Sequence, residues 1–115
     1  MPHDTEPKPK GLPAAQAVRA AELVGYQEGA IVSREIVKRP AGNVTAFAFD
    51  EGQGLSEHTA PFDALVEVLE GEVEITISGK AHCLQGGGLI LLPAHQPHAL
   101  NAIKRFKMIL TMIRS

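Results

Sequence analysis

The sequence predicts a small all-β protein, two layers of short strands closing into a sandwich or barrel, with one short helix ahead of them. Three observations lead there. From Ile31 onward the apolar residues recur mostly at every second position, the period of a half-buried strand. Gly- and Pro-containing turns separate these runs at regular intervals, as in all-β domains. The chain has 115 residues, of which 44% are hydrophobic and 21% charged, enough for one core and too little for two.

In order, residues 1–13 carry Pro2, Pro7, Pro9 and Pro13 among charged residues and read as a flexible tail. Ala14, Ala17, Val18, Ala21 and Val24 then recur at helical spacing, which predicts a short amphipathic helix over 14–25, closed near Gly25. The β domain follows over 30–115. Ile31–Val37 is the first strand, Arg39–Asn43 a turn, and Val44–Phe49 the second strand. Asp50–Gly54 is a Gly-rich turn. Ala64–Leu69 is a strand that turns at Glu70-Gly71. Over Glu72–Ser78, Val73, Ile75 and Ile77 share one face, and Glu72, Glu74, Thr76 and Ser78 the other. Ser78-Gly79-Lys80 is a hairpin turn. Ala81–Leu84, Leu89–Leu92 and His98–Ile103 are short strands. Phe106–Ile113 is apolar at both parities and needs cover on both faces. That strand and Ile31–Val37 predict an interface, hence a homodimer.

Charge and composition exclude several function classes. The net charge is −2 and the pI about 6.2, so no basic face for nucleic acid is expected. The longest apolar run, Leu89–Leu92, is far too short for a membrane helix. Met1–Lys10 has no apolar stretch of the kind a secretory signal needs, and Cys83 is the single cysteine; both read as a cytoplasmic protein.

Two segments narrow the fold. Gly54-Leu55-Ser56-Glu57-His58-Thr59-Ala60-Pro61-Phe62-Asp63-Ala64-Leu65-Val66-Glu67-Val68-Leu69-Glu70-Gly71 resembles the first conserved motif of the cupin superfamily. Gly87-Gly88-Leu89-Ile90-Leu91-Leu92-Pro93-Ala94-His95-Gln96-Pro97-His98 resembles the second. The resemblance covers roughly residues 31–113 and is similar to that of small single-domain bacterial cupins of undefined function. It implies a cupin or jelly-roll double-sheet β-barrel. His58 aligns with the first metal-binding His of the family and His98 with the last. Ala60 stands at the second His position and Ala64 at the Glu position, so two of the four family ligands remain. His95 stands where the second motif has Gly, and Ala102 where it ends in Asn.

With Val66 and Val68 lining the core, period two turns Ala64 inward as well. Strands pairing across the barrel then bring His58 and His98 to the same end of a cavity walled by Val, Leu, Phe and Met. A first-row metal usually takes three or more protein ligands. A divalent transition metal would therefore need a third donor beside His58 and His98, drawn from His95, Gln53, Glu57 or Asp63. Without metal, two imidazoles suit proton transfer or ligand anchoring. Two functions from different classes follow. One is a binding module holding an unknown small organic molecule, with His58, His98 and His95 as ligand-contacting residues and no turnover. The other is a metal-dependent oxygenase, isomerase or decarboxylase with a reduced ligand set. No catalytic residue is assigned. Cys83 reads as a small packed residue beside a surface His82. Gly86-Gly87-Gly88 reads as a tight turn, since no Lys-Ser/Thr or helix follows it.

Overall fold

The computed structural model describes residues 11–114. Among them nine strands form two antiparallel sheets. The strands are β1 (Ile31–Arg39), β2 (Gly42–Phe49), β3 (Gly54–His58), β4 (Asp63–Glu70), β5 (Glu72–Ile77), β6 (Lys80–Gln85), β7 (Leu89–Leu92), β8 (His98–Ala102) and β9 (Phe106–Ile113). One sheet runs β1-β2-β9-β4-β7 and the other β3-β8-β5-β6. The predicted all-β, double-sheet barrel is therefore the fold.

The alternating runs dictate which faces meet. On β4, Ala64, Val66 and Val68 point into the interior; on β5, Val73 and Ile75 do the same from the other sheet. Phe49 and Phe106 are register partners on β2 and β9 and stack in this core with ring centroids 4.6 Å apart. Two turns show why particular residues are needed. Ser78 and Gly79 both have positive φ, the two-residue hairpin geometry whose twist matches the flanking strands. Gly71, at φ 86°, lies against the Arg105 carbonyl and Phe106, where a Cβ would come within 2.6 Å of the Phe106 Cβ. Only glycine fits there.

The outer face of the five-stranded sheet explains the doubly apolar β9. Val24 is buried with Ala46 and Ala48, and Leu23, Tyr26, Val32, Ile36 and Ile109 pack around them. The chain ahead of β1 thus lies across this face. It is fastened by the Tyr26 hydroxyl, which donates to Glu70 at 2.6 Å, and by Lys107 Nζ, which donates to the Ala21 carbonyl at 2.6 Å. Arg105 and Lys107 also stand over the Tyr26 ring. Burial and the Glu70 carboxylate push the Tyr26 phenol up, so it stays a donor.

Here the structure corrects the sequence reading: there is no helix over 14–25. The segment holds one 3-10 turn at Ala20–Glu22, Ala15 takes a positive φ of 60°, and Arg19 is extended. The physical reason is that an isolated helix of this length is marginal in water and needs a packed apolar face. The expected stripe is mostly alanine, and Ala14, Ala17 and Val18 are exposed. The larger side chains at its C-terminal end and just after it, Leu23, Val24 and Tyr26, reach the sheet from an irregular chain. Residues 1–10 of the expected tail lie outside the described residues. Leu12 is hydrogen-bonded, its amide donating to the Ile36 carbonyl at 3.0 Å.

A second correction concerns β6. His82 shares the inward parity of the buried Leu84 and is half-buried, while Cys83 is exposed on the other face. Strand parity outweighs the usual tendency of cysteine to be buried. No helix among the described residues is long and apolar enough to cross a membrane.

Candidate functional site

His98 opens β8, a central strand bonded to β3 on one side and β5 on the other. His58 closes β3, an edge strand that no element of the sequence analysis covers. The two histidines meet at one end of the interior. They are direct register partners in the same sheet. A β-bulge makes this possible. Leu55 pairs with Leu100 and His58 with His98, so the chain spends three steps on β3 for two on β8. Strict period two would turn Leu55 and His58 to opposite faces. The extra residue sends both inward.

The rings stand 4.4 Å apart between centroids, at 68° to each other. His58 Nδ1 lies 2.7 Å from the Ser56 carbonyl and His98 Nδ1 3.2 Å from the Gln96 carbonyl. A carbonyl oxygen only accepts, so each Nδ1 carries the proton and donates. That leaves Nε2 of each neutral ring as a free acceptor. His98 is only 6% exposed, whereas His58 is open to solvent. Burial, helped by the neighbouring His58, holds the His98 imidazole below its ordinary value of 6.5, against the opposing pull of the Gln96 carbonyl.

Behind the pair is a cavity of about 70 Å³, lined by Leu55, His58, Ala60, Ala64, Val66, Leu92, His98, Leu100, Met108, Leu110 and Met112. Ala60 and Ala64, which occupy the second His and Glu positions of the cupin motif, are both on this wall. The methionines and Leu110 come from one face of β9. Apart from the two imidazoles the wall has no polar side chain.

The remaining expected site residues lie elsewhere. His95 is exposed on the loop between β7 and β8 at φ 67°, its amide donating to the Ala60 carbonyl at 2.7 Å, and it does not line the cavity. Asp63 pins the same loop, its Oδ1 accepting from the Ala94 amide at 2.8 Å. Glu57 is exposed, and Gln53 sits in the turn before β3. Among the described residues no three His, Cys, Asp or Glu side chains come together as a metal-binding group. Two imidazoles on an otherwise apolar wall do not fit a transition-metal centre of three or more protein ligands.

The features the sequence reading missed are strand β3, its bulge and the place of Leu55 in the wall. Gly54–His58 holds a single apolar residue, so no periodic signal marked it.

Comparison with known proteins adds the family context. Residues 42–112 match the family model described as AraC-like ligand binding domain. A conserved protein of unknown function from Streptococcus pyogenes is 32% identical, with a TM-score of 0.87 over 92% of this chain and 93% of that one. A cupin superfamily protein from Desulfitobacterium hafniense is 27% identical, with a TM-score of 0.86 over 92% of this chain and 97% of the other. A cupin 2 conserved barrel domain protein from Leptotrichia buccalis is 42% identical over 82% of this chain, with a TM-score of 0.79; the match spans 46% of that protein. Comparison with curated proteins gives no match.

Proposed function

Because the chain belongs to the AraC-like ligand-binding domain family, within the cupin fold, we propose that it binds a small organic molecule in its barrel, with His58 and His98 as the polar anchors and no turnover. The observation that carries this reading is the paired imidazoles at an apolar cavity of about 70 Å³. Apolar walls with a few convergent polar groups are the usual make-up of a small-molecule site. No side chain at the cavity is arranged as nucleophile and base, which favours binding over catalysis.

The test is a thermal-shift screen of small neutral metabolites on wild type and on a His58→Leu/His98→Leu double variant. Ligands that stabilise wild type alone support the reading. Equal stabilisation of both proteins would sink it. Elemental analysis of tag-free protein belongs beside it, with His58→Ala and His98→Ala as controls. Near-stoichiometric metal lost in both variants would favour the metal-dependent enzyme instead.

We further propose a homodimer through the uncovered part of the five-stranded sheet. Leu89, Leu91 and Ile113 are 61%, 50% and 56% exposed there, and Leu65 lies beside Leu91 in register. Apolar side chains so grouped are normally covered. Analytical ultracentrifugation checks this: a dimer that Leu91→Asp converts to monomer is expected, and monomeric wild type at micromolar concentration would refute it.

A further inference from the structure

A second recess lies outside the barrel, on the outer side of the five-stranded sheet. It is a groove of about 620 Å³ between β1 and the chain ahead of it. Pro13, Ala17, Val18 and Leu23 give it an apolar surface, and three charged side chains, Arg19, Glu22 and Arg34, stand among them. Small-molecule sites usually enclose roughly 300 to 1,000 Å³. The groove falls in that range, whereas the cavity behind the histidines holds about 70 Å³. Val18 is 47% exposed, so the groove presents apolar surface that a guest could cover.

The charges in the groove say what kind of guest. Arg34 stands on β1 as the register partner of the buried Ala46 and is itself half-buried. Its guanidinium donates to the Leu23 and Gly11 carbonyls at 3.4 Å each, long for such bonds, and has further N–H groups to give. Among the described residues the one ion pair joins Arg105 to Asp50, so neither Arg34 nor Arg19 meets a carboxylate there. A guanidinium drawn partly out of water without a counter-charge is destabilising, and an anion beside it offsets that cost. With two arginines against one glutamate, the lining carries a net positive charge that a monoanion balances.

We propose that this groove is a second binding site, separate from the barrel, for a monocarboxylate with an apolar body. Arg34 and Arg19 receive the carboxylate, whose two oxygens match the fork of a guanidinium. Leu23, Val18, Ala17 and Pro13 cover the apolar body. A phosphate monoester, at roughly −1.5 to −2 near neutral pH, overcharges the same lining. The barrel wall has no Lys or Arg and offers a carboxylate nothing comparable, so the two sites take different guests.

The experiment titrates the full chain, labelled with ¹³C at its Val, Leu and Met methyl groups, with phenylacetate, phenylacetamide and phenyl phosphate. Phenylacetate is expected to move the Val18 and Leu23 resonances and to leave those of Met108 and Met112 in place. It is expected to bind roughly tenfold or more tightly than the amide, as charge-assisted hydrogen bonds predict. Arg34→Gln should remove most of the binding. Because Arg34 also ties down Leu23 and Gly11, Arg19→Gln is the second variant: Arg19 is exposed, and its loss should weaken phenylacetate by about threefold with the Val24 resonances unchanged. Unmoved Val18 and Leu23 resonances with every probe, or an affinity that Arg19→Gln leaves unchanged, would overturn the site. Amide or phosphate binding as tight as phenylacetate would overturn the ligand class. Shifts confined to Met108 and Met112 would overturn the groove while leaving a small-molecule site in the barrel.

Discussion

Filling the cavity from Ala64 should stabilise the fold and abolish ligand binding at once. Ala64 is buried on β4, opposite Leu92 of β7 and Met112 of β9, and its methyl group lines the space behind the histidines. Ala64→Val adds two methyl groups at a strand position, where a β-branched side chain is favoured. Burying two carbons contributes about 1.6 kcal/mol at roughly 0.8 kcal/mol each. An independent route starts from the void. A cavity of about 70 Å³, at roughly 24 cal/mol per Å³, withholds about 1.7 kcal/mol from the folded state. The two figures agree, so a gain of about 1 to 1.5 kcal/mol is expected once some crowding is allowed for. Urea denaturation of wild type and variant, with equal slopes, measures it. A variant that is less stable than wild type would refute the reasoning, because it would mean the space behind the histidines is already filled. A variant that gains stability and still binds ligand unchanged would show that the ligand sits elsewhere.

Three further outcomes test separate parts of the structure. Gly71→Ala should cost more than about 3 kcal/mol, combining a left-handed backbone with overlap against Arg105 and Phe106; a urea midpoint close to wild type would contradict that geometry. The pH dependence of stability should carry the mark of His98. Its folded value is depressed, so the unfolded chain takes up a proton that the folded one refuses; stability is complete above 6.5 and is lost as pH falls from there through the folded value. Urea midpoints between about pH 8 and pH 5 should therefore fall more steeply for wild type than for His98→Gln, and an equal or shallower fall would refute the assignment. His95→Gly should be neutral or stabilising by about 0.5 kcal/mol, since relief of the left-handed backbone slightly exceeds the entropy cost of glycine; a loss above about 1 kcal/mol would show that the imidazole holds the loop.

The parts of this fold that were legible in the sequence share one property: the face a residue takes follows from alternation along its own strand. Val73, Ile75 and Ile77 announce β5 because one face of that strand meets only core. Ala64, Val66 and Val68 fixed the inward face of β4 for the same reason, and the cavity wall with it. His58 and His98 were legible as a pair because the motif spacing survives around them. That they are register partners in one sheet was not. It depends on the bulge in β3, and a bulge is a property of two strands in register, invisible in either alone. The helix over 14–25 failed on a similar ground. Helical spacing in an alanine-rich stretch says which residues would share a face, but not that a sheet lies nearby on which Leu23, Val24 and Tyr26 bury more. His82 rather than Cys83 turns inward because it shares the parity of Leu84, and parity overrides the burial habit of either side chain.

The unequal bonding of β3 and β8 gives the two histidines unequal freedom. β8 is held on both edges, by β3 and by β5, whereas β3 has β8 alone for company. Separating β3 from its neighbour breaks one short ladder and exposes little apolar surface beyond Leu55; separating β8 breaks two. Opening of this wall therefore belongs to the low-energy end of the molecule's local unfolding. Amide hydrogen exchange should be fast at Leu55 and slow at Leu100, directly across from it. On the proposed binding function the pair is thus unequal: His98 sits on the firmly held strand and is its fixed half, and His58 is carried by the strand that gives way first.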